Sequence, residues 1–153
     1  MSATGLEVFD KTLQSTNIWL DEIMAKIGPD RQVAWHVLGA VLRALRDRLP
    51  IGLSAHLGAQ LPILVRGIYY DQWRPSEETL KLRSREEFLE RVAEDLKDTR
   101  PVNVADGVKI VFQVLNHHIE PGQIEKVRQA LPESVRTLWP AGGGRKGDIP
   151  SAA

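Results

Sequence analysis

The chain has 153 residues, 42% hydrophobic and 26% charged, and its twenty basic and twenty acidic residues cancel. That suffices for one domain with its own core and leaves no global field to attract nucleic acid or an anionic membrane. The absence of cysteine excludes disulfides, thiolate metal sites and a cysteine nucleophile, and suits a reducing compartment.

No basic start with an apolar stretch marks a signal peptide, and no apolar run is long enough to cross a bilayer. A soluble, cytoplasmic protein is expected. From Leu6 to Ile27, Leu6, Phe9, Leu13, Trp19, Leu20, Ile23 and Ile27 recur at helical steps, which predicts one helix, bent near Ser15-Thr16-Asn17 and closed by Gly28-Pro29. Asp30 caps a second helix that turns Val33, Val37, Leu38, Val41, Leu42 and Leu45 inward and Arg43, Arg46, Asp47 and Arg48 outward. Pro50 stops it, because proline cannot continue the hydrogen-bond ladder. A short helix follows over Leu53 to Gln60, and Pro62 starts another with Ile63, Leu64, Val65, Ile68 and Tyr69 as its apolar positions.

Gln72 to Arg83 has no period and reads as a connection. Ser84 and Glu87 form a capping box for a helix burying Phe88, Leu89, Val92 and Leu96. Pro101 or Asn103 opens the next, with Val104, Val108, Val111, Phe112, Leu115 and Ile119 inward. Glu120-Pro121-Gly122 breaks it, a short helix runs from Gln123 to Ala130, and Pro132 to Trp139 closes the fold. The Gly-rich stretch from 141 to 153 is expected to be a flexible tail.

The chain echoes itself. At an offset of 70, Val41, Leu45, Gly52, Leu61, Pro62, Val65 and Arg66 return as Val111, Leu115, Gly122, Leu131, Pro132, Val135 and Arg136, and Tyr69 as Trp139. At 69, Ser15, Trp19, Leu20, Ile23 and Ile27 fall on Ser84, Phe88, Leu89, Val92 and Leu96. This predicts an all-α bundle, one domain over residues 1–140, built from two tandem pseudo-symmetric repeats over about 6–73 and 84–140. The run Leu57 to Trp73, with Leu42 to Pro50 before it and Leu138-Trp139-Pro140 after, resembles a bacterial family known as domain of unknown function 2267. The resemblance covers roughly Leu6 to Pro140 and implies a small helical protein; it brings no catalytic residues and no established activity.

Few constellations carry chemistry. His117 and His118 are adjacent on a helix and point about 100° apart, so they suit a surface pair better than a shared metal ion, and His36 and His56 lie on other helices. No nucleophile constellation, phosphate loop or dinucleotide fingerprint is present, so neither a cofactor nor catalysis is expected. Arg43, Arg46 and Arg66 are the best anion-binding candidates, against a structural role as ion pairs such as Arg43 with Asp47. Residues 31–74 carry a net +4 and 76–98 a net −3, which fits an internal seam of ion pairs as well as a ligand surface. In Tyr69-Tyr70-Asp71-Gln72-Trp73, Tyr69 reads as a core anchor and Tyr70 or Trp73 as a contact for a partner. The expected function is therefore protein association, with another protein or as a homodimer, through Arg43, Arg46, Arg66, Tyr70, Asp71 and Trp73. The alternative is small-molecule or anion binding in an Arg-lined cleft between the repeats. The missing basic stripe counts against nucleic acid.

Overall fold

The computed structural model describes residues 2–75 and 81–141. Among them there are eight helices and no strand: α1 (Glu7–Ile27), α2 (Arg31–Arg48), α3 (Ile51–Ala59), α4 (Ile63–Tyr70), α5 (Arg85–Asp95), α6 (Val104–His118), α7 (Pro121–Ala130) and α8 (Glu133–Arg136). The predicted tail lies, except for Ala141, outside the described residues, as does part of the connection between α4 and α5. None of the described helices is long and apolar enough to cross a membrane.

Local chemistry sets the helix boundaries. Asp30 accepts from the amides of Gln32 and Val33, and Asn103 from that of Asp106. Ser84 accepts from the Glu87 amide while the Glu87 carboxylate accepts from the Ser84 amide, the reciprocal box expected of that sequence. Pro50, Pro62 and Pro132 stand immediately before α3, α4 and α8, where a missing amide costs nothing. α1 is one continuous helix through Ser15-Thr16-Asn17. α8 is shorter than expected because its last turn tightens: Leu138 donates to Val135 O and Trp139 to Arg136 O, at i−3 rather than i−4.

α2 and α6 form the centre. α2 touches α1, α3, α4, α5 and α6, while α6 touches α1, α2, α5 and α7. α1 reaches across to α6 and α5 across to α2, so the two halves interlock. α2 and α6 approach closely at Gly107, where a Cβ would stand 3.2 Å from Val37 Cγ1. One continuous core results, in which Leu38, Val41, Leu42 and Leu45 are as deeply buried as their echoes Val108, Val111, Phe112 and Leu115. The two Leu-Pro corners are also built alike. Arg66 Nη2 donates to Leu61 O at 2.9 Å and Arg136 Nη2 to Leu131 O at 3.0 Å.

Three groups depart from the periodicity. Leu6, Phe9 and Leu13 continue the apolar stripe of α1 but are exposed, and no described residue before Thr16 is buried, because α1 runs past the elements that cover its second half. Ile63 and Leu64 are also exposed, since the inward face of short α4 is filled by Val65 and Tyr69. Arg46, expected outward, is only 5% exposed.

Candidate functional site

α4 ends in a turn with Gln72 at φ 60° and Trp73 N donating to Tyr70 O, and carbonyls at this end of the helix meet α2. Arg46 meets them. Its Nη1 donates to Tyr69 O at 2.9 Å and Asp71 O at 2.7 Å, while Nε and Nη2 form a two-pronged pair with Asp47. Three hydrogen bonds close a circuit through α2, α3 and α4: Arg46 to Tyr69 O, the Tyr69 hydroxyl to Ser54 O, and the Ser54 hydroxyl to Arg46 O. Burial pushes the Tyr69 phenol above its ordinary pKa, so it stays a donor.

Arg43 is held similarly, to Asp95 at 3.1 Å and Ile68 O at 3.4 Å. The expected Arg43–Asp47 pair is replaced by an alternating chain, Arg46–Asp47–Arg91–Asp95–Arg43, that bolts α2 to α5. This is the internal ion-pair seam that the charge asymmetry allowed. The chain has three arginines and two aspartates, and the surplus positive charge faces the carbonyl end of α4, where the helix dipole favours it. Arg66 sits elsewhere, at the α3–α4 corner, bound to Ala59 O and Leu61 O. The three arginines therefore do not converge on a common space.

Seventy residues after Arg46, Asn116 also holds a chain leaving a helix, with different bonds. Asn116 is also buried, accepts from Trp139 Nε1 at 2.7 Å and donates to Pro140 O at 3.1 Å. A buried polar residue on each central helix thus holds the chain leaving each closing helix. Arg and Asn share no side-chain type, so self-similarity in the sequence does not mark this pair.

The aromatic run divides by depth. Tyr69 is fully buried, Tyr70 and Trp73 are half-buried, and Asp71 is exposed. Tyr70 stacks on Trp73 with ring centroids 5.2 Å apart, and its hydroxyl donates to Ala55 O. Gly58 makes room for it, since a Cβ there would lie 2.2 Å from the Tyr70 hydroxyl oxygen. Ile63, Gly67 and Tyr70 then line one side of α4 at i, i+4 and i+7, with Leu64 beside them. Ile63 is 60% and Leu64 41% exposed, and a Cβ on Gly67 meets nothing within 4 Å. This is an apolar face with a backbone notch in its middle.

The histidine pair is placed at the last turn of α6, with one partner from α1 that no local sequence signal marks. Glu22 of α1 takes His117 Nδ1 at 2.8 Å on one carboxylate oxygen and His118 Nε2 on the other. The His118 ring stacks on Trp19 at 5.1 Å. His36 instead meets Thr99, and His56 is exposed on α3. Among the described residues, no group of three or more His, Asp or Glu side chains is arranged to hold a metal ion. A surface groove runs between the end of α1 and the start of α6, lined by Lys26, Ile27, Val102, Asp106 and Lys109 among others, and contains none of the three arginines.

No match was found among curated proteins. The family model described as "Uncharacterized conserved protein (DUF2267)" matches residues 16–138, from the second half of α1 to the turn after α8, and the chain belongs to that family.

Proposed function

We propose that this protein is a non-catalytic, cytoplasmic helical module, a single domain of two tandem pseudo-symmetric repeats, that associates with protein through the outer face of α4. One observation carries the reading: Ile63, Leu64 and the Tyr70–Trp73 stack present apolar surface on a rigid base, whereas the arginines beneath are engaged with carbonyls and carboxylates. A half-buried, stacked aromatic pair loses little freedom on binding, which favours its use as an anchor. Asp71 supplies an exposed carboxylate at the rim of this surface, while Arg43, Arg46 and Arg66 shape it from below. The repeat reading is supported by the matched core positions, the twin Leu-Pro-Arg corners and the Arg46–Asn116 correspondence. Anion binding in an inter-repeat cleft has less support, because Arg66 lies apart from Arg43 and Arg46 and all three donate to carbonyls.

A photoreactive residue at position 64 of the full chain tests this in cells, with one at exposed Glu125 of α7 as control. The expected result is a polypeptide adduct of discrete mass at 64, weak or absent at 125, and lost on Tyr70→Ala with Ile63→Glu. Equal labelling at both positions, or no polypeptide adduct at 64, overturns the assignment.

A further inference from the structure

Residues 6–15, the N-cap and first half of α1, form an arm none of whose residues is buried. They lie outside the family match, which begins at 16. At the offset of 69, α5 is capped by Ser84 at the position corresponding to Ser15, so the matching helix starts where the arm ends. Yet the arm is helical and carries Leu6, Phe9 and Leu13 at i, i+3 and i+7, all about half exposed, the stripe that Leu20 and Ile23 continue into the core. The arm extends the 21-residue α1 beyond its buried part, and nothing among the described residues covers these three side chains.

The second bare apolar patch shows the same asymmetry. Leu61-Pro62-Ile63-Leu64-Val65-Arg66 and Leu131-Pro132-Glu133-Ser134-Val135-Arg136 fold into like corners, and the third and fourth residues are exposed in both. In the second corner they are polar; in the first they are Ile63 and Leu64. The fold therefore does not require apolar side chains there. Charge is complementary as well. The arm bears Glu7, Asp10 and Lys11, a net −1, with Asp10 bonded to Ser2 and Thr4, while no acid occurs between Asp47 and Asp71, and the start of α4 has no side-chain cap on its amides.

We infer that the arm of one copy docks on the α4 face of a second copy, reciprocally, forming a two-fold homodimer. Phe9 enters the notch over Gly67, with Leu6 and Leu13 against Ile63 and Leu64. This rests on the association reading of the α4 face and names its occupant. The side chains involved keep on the order of 100 Å2 each, so complete reciprocal burial removes at most on the order of 1,000 Å2 in all, the lower bound for a specific interface. The dimer is small in interface and isologous.

Sedimentation equilibrium of the full chain from about 10 µM to about 1 mM is the primary test. Phe9→Glu with Leu13→Glu, and separately Ile63→Glu with Leu64→Ser, are each expected to raise the dissociation constant at least about tenfold while leaving the far-ultraviolet dichroism unchanged. Because the chain has no cysteine, Leu13→Cys and Leu64→Cys chains can be mixed and oxidised, which reads the geometry without relying on disruptive variants. Disulfides between position 13 of one chain and 64 of the other, in excess of 13–13 and 64–64 products, support the docking. A wild-type monomer over the whole range, or a dimer cross-linked mainly 13–13, overturns it. In the monomer case, a discrete adduct of a different protein at position 64 leaves the association module standing with another occupant.

Discussion

A Cβ built on Gly58 would stand 2.2 Å from the Tyr70 hydroxyl oxygen, 2.5 Å from its Cζ and 3.0 Å from Tyr69 Cε2, whereas one on Gly67 meets nothing within 4 Å. Both glycines are inside helices, where alanine ordinarily gains about 0.5–1 kcal/mol over glycine. Their substitutions should therefore separate. Gly67→Ala is expected to raise stability by about that amount. Gly58→Ala should lower it by about 1–3 kcal/mol, because Tyr70 has to leave its stack and Tyr69, in the core, cannot yield freely. Urea denaturation followed by tryptophan fluorescence measures both, and the stack on Trp73 provides a local signal for the Tyr70 displacement. Equal effects of the two substitutions would mean that Gly58 has no packing role. Asn116 offers a second contrast at this scale: Asn116→Leu should cost about 1–3 kcal/mol through the unpaired Trp139 indole and Pro140 carbonyl it leaves behind.

At the scale of elements, the exit of α4 depends on one side chain. Arg46→Met removes, from a side chain only 5% exposed, the donor that serves two carbonyls and half of Asp47's pairing, and should destabilise by about 3–5 kcal/mol. Arg46→Lys should recover only part, since an ammonium cannot reproduce the planar fork that reaches Asp47 and the carbonyls together. Equilibrium unfolding checks the order: wild type, then Lys, then Met. The capping box of α5 is smaller in effect, with Ser84→Ala expected to cost about 1 kcal/mol. The contrast also explains how much the sequence disclosed. Asp30, Ser84, Asn103 and the prolines announce helix boundaries because their chemistry is local. Arg46 could not be placed that way, because its partners are carbonyls that any residue possesses and that come within reach only when α4 packs on α2. Helical periodicity likewise identified Leu6, Phe9, Leu13, Ile63 and Leu64 as apolar-face positions, but cannot say whether a face is covered by the same chain.

For the whole molecule, the self-similarity of the sequence invites the idea of two separable halves, and the packing argues against it. α1 is covered by α6 and α5 packs on α2, so each half supplies the other's lid, and α2–α6 contact at Gly107 and Val37 forms the middle of a single core. Isolated halves would expose the central faces of α2 or α6, including Leu38, Val41 and Leu42 or Val108, Val111 and Phe112, which are fully buried in the intact chain. Two peptides, 1–75 and 81–141, should therefore be poorly helical and aggregation-prone alone, and should gain helix on mixing at a one-to-one ratio. Circular dichroism titration gives the stoichiometry, and guanidinium unfolding of the intact protein should show a single cooperative transition. Halves that each fold alone, or two separated transitions in the intact chain, would mean that the repeats are autonomous units. Interlocked halves also rationalise why the arm of α1 and Ile63–Leu64 lie on the outside: residues changed at the shared core must fit both halves, whereas an exposed position in one half is free to acquire a contact of its own.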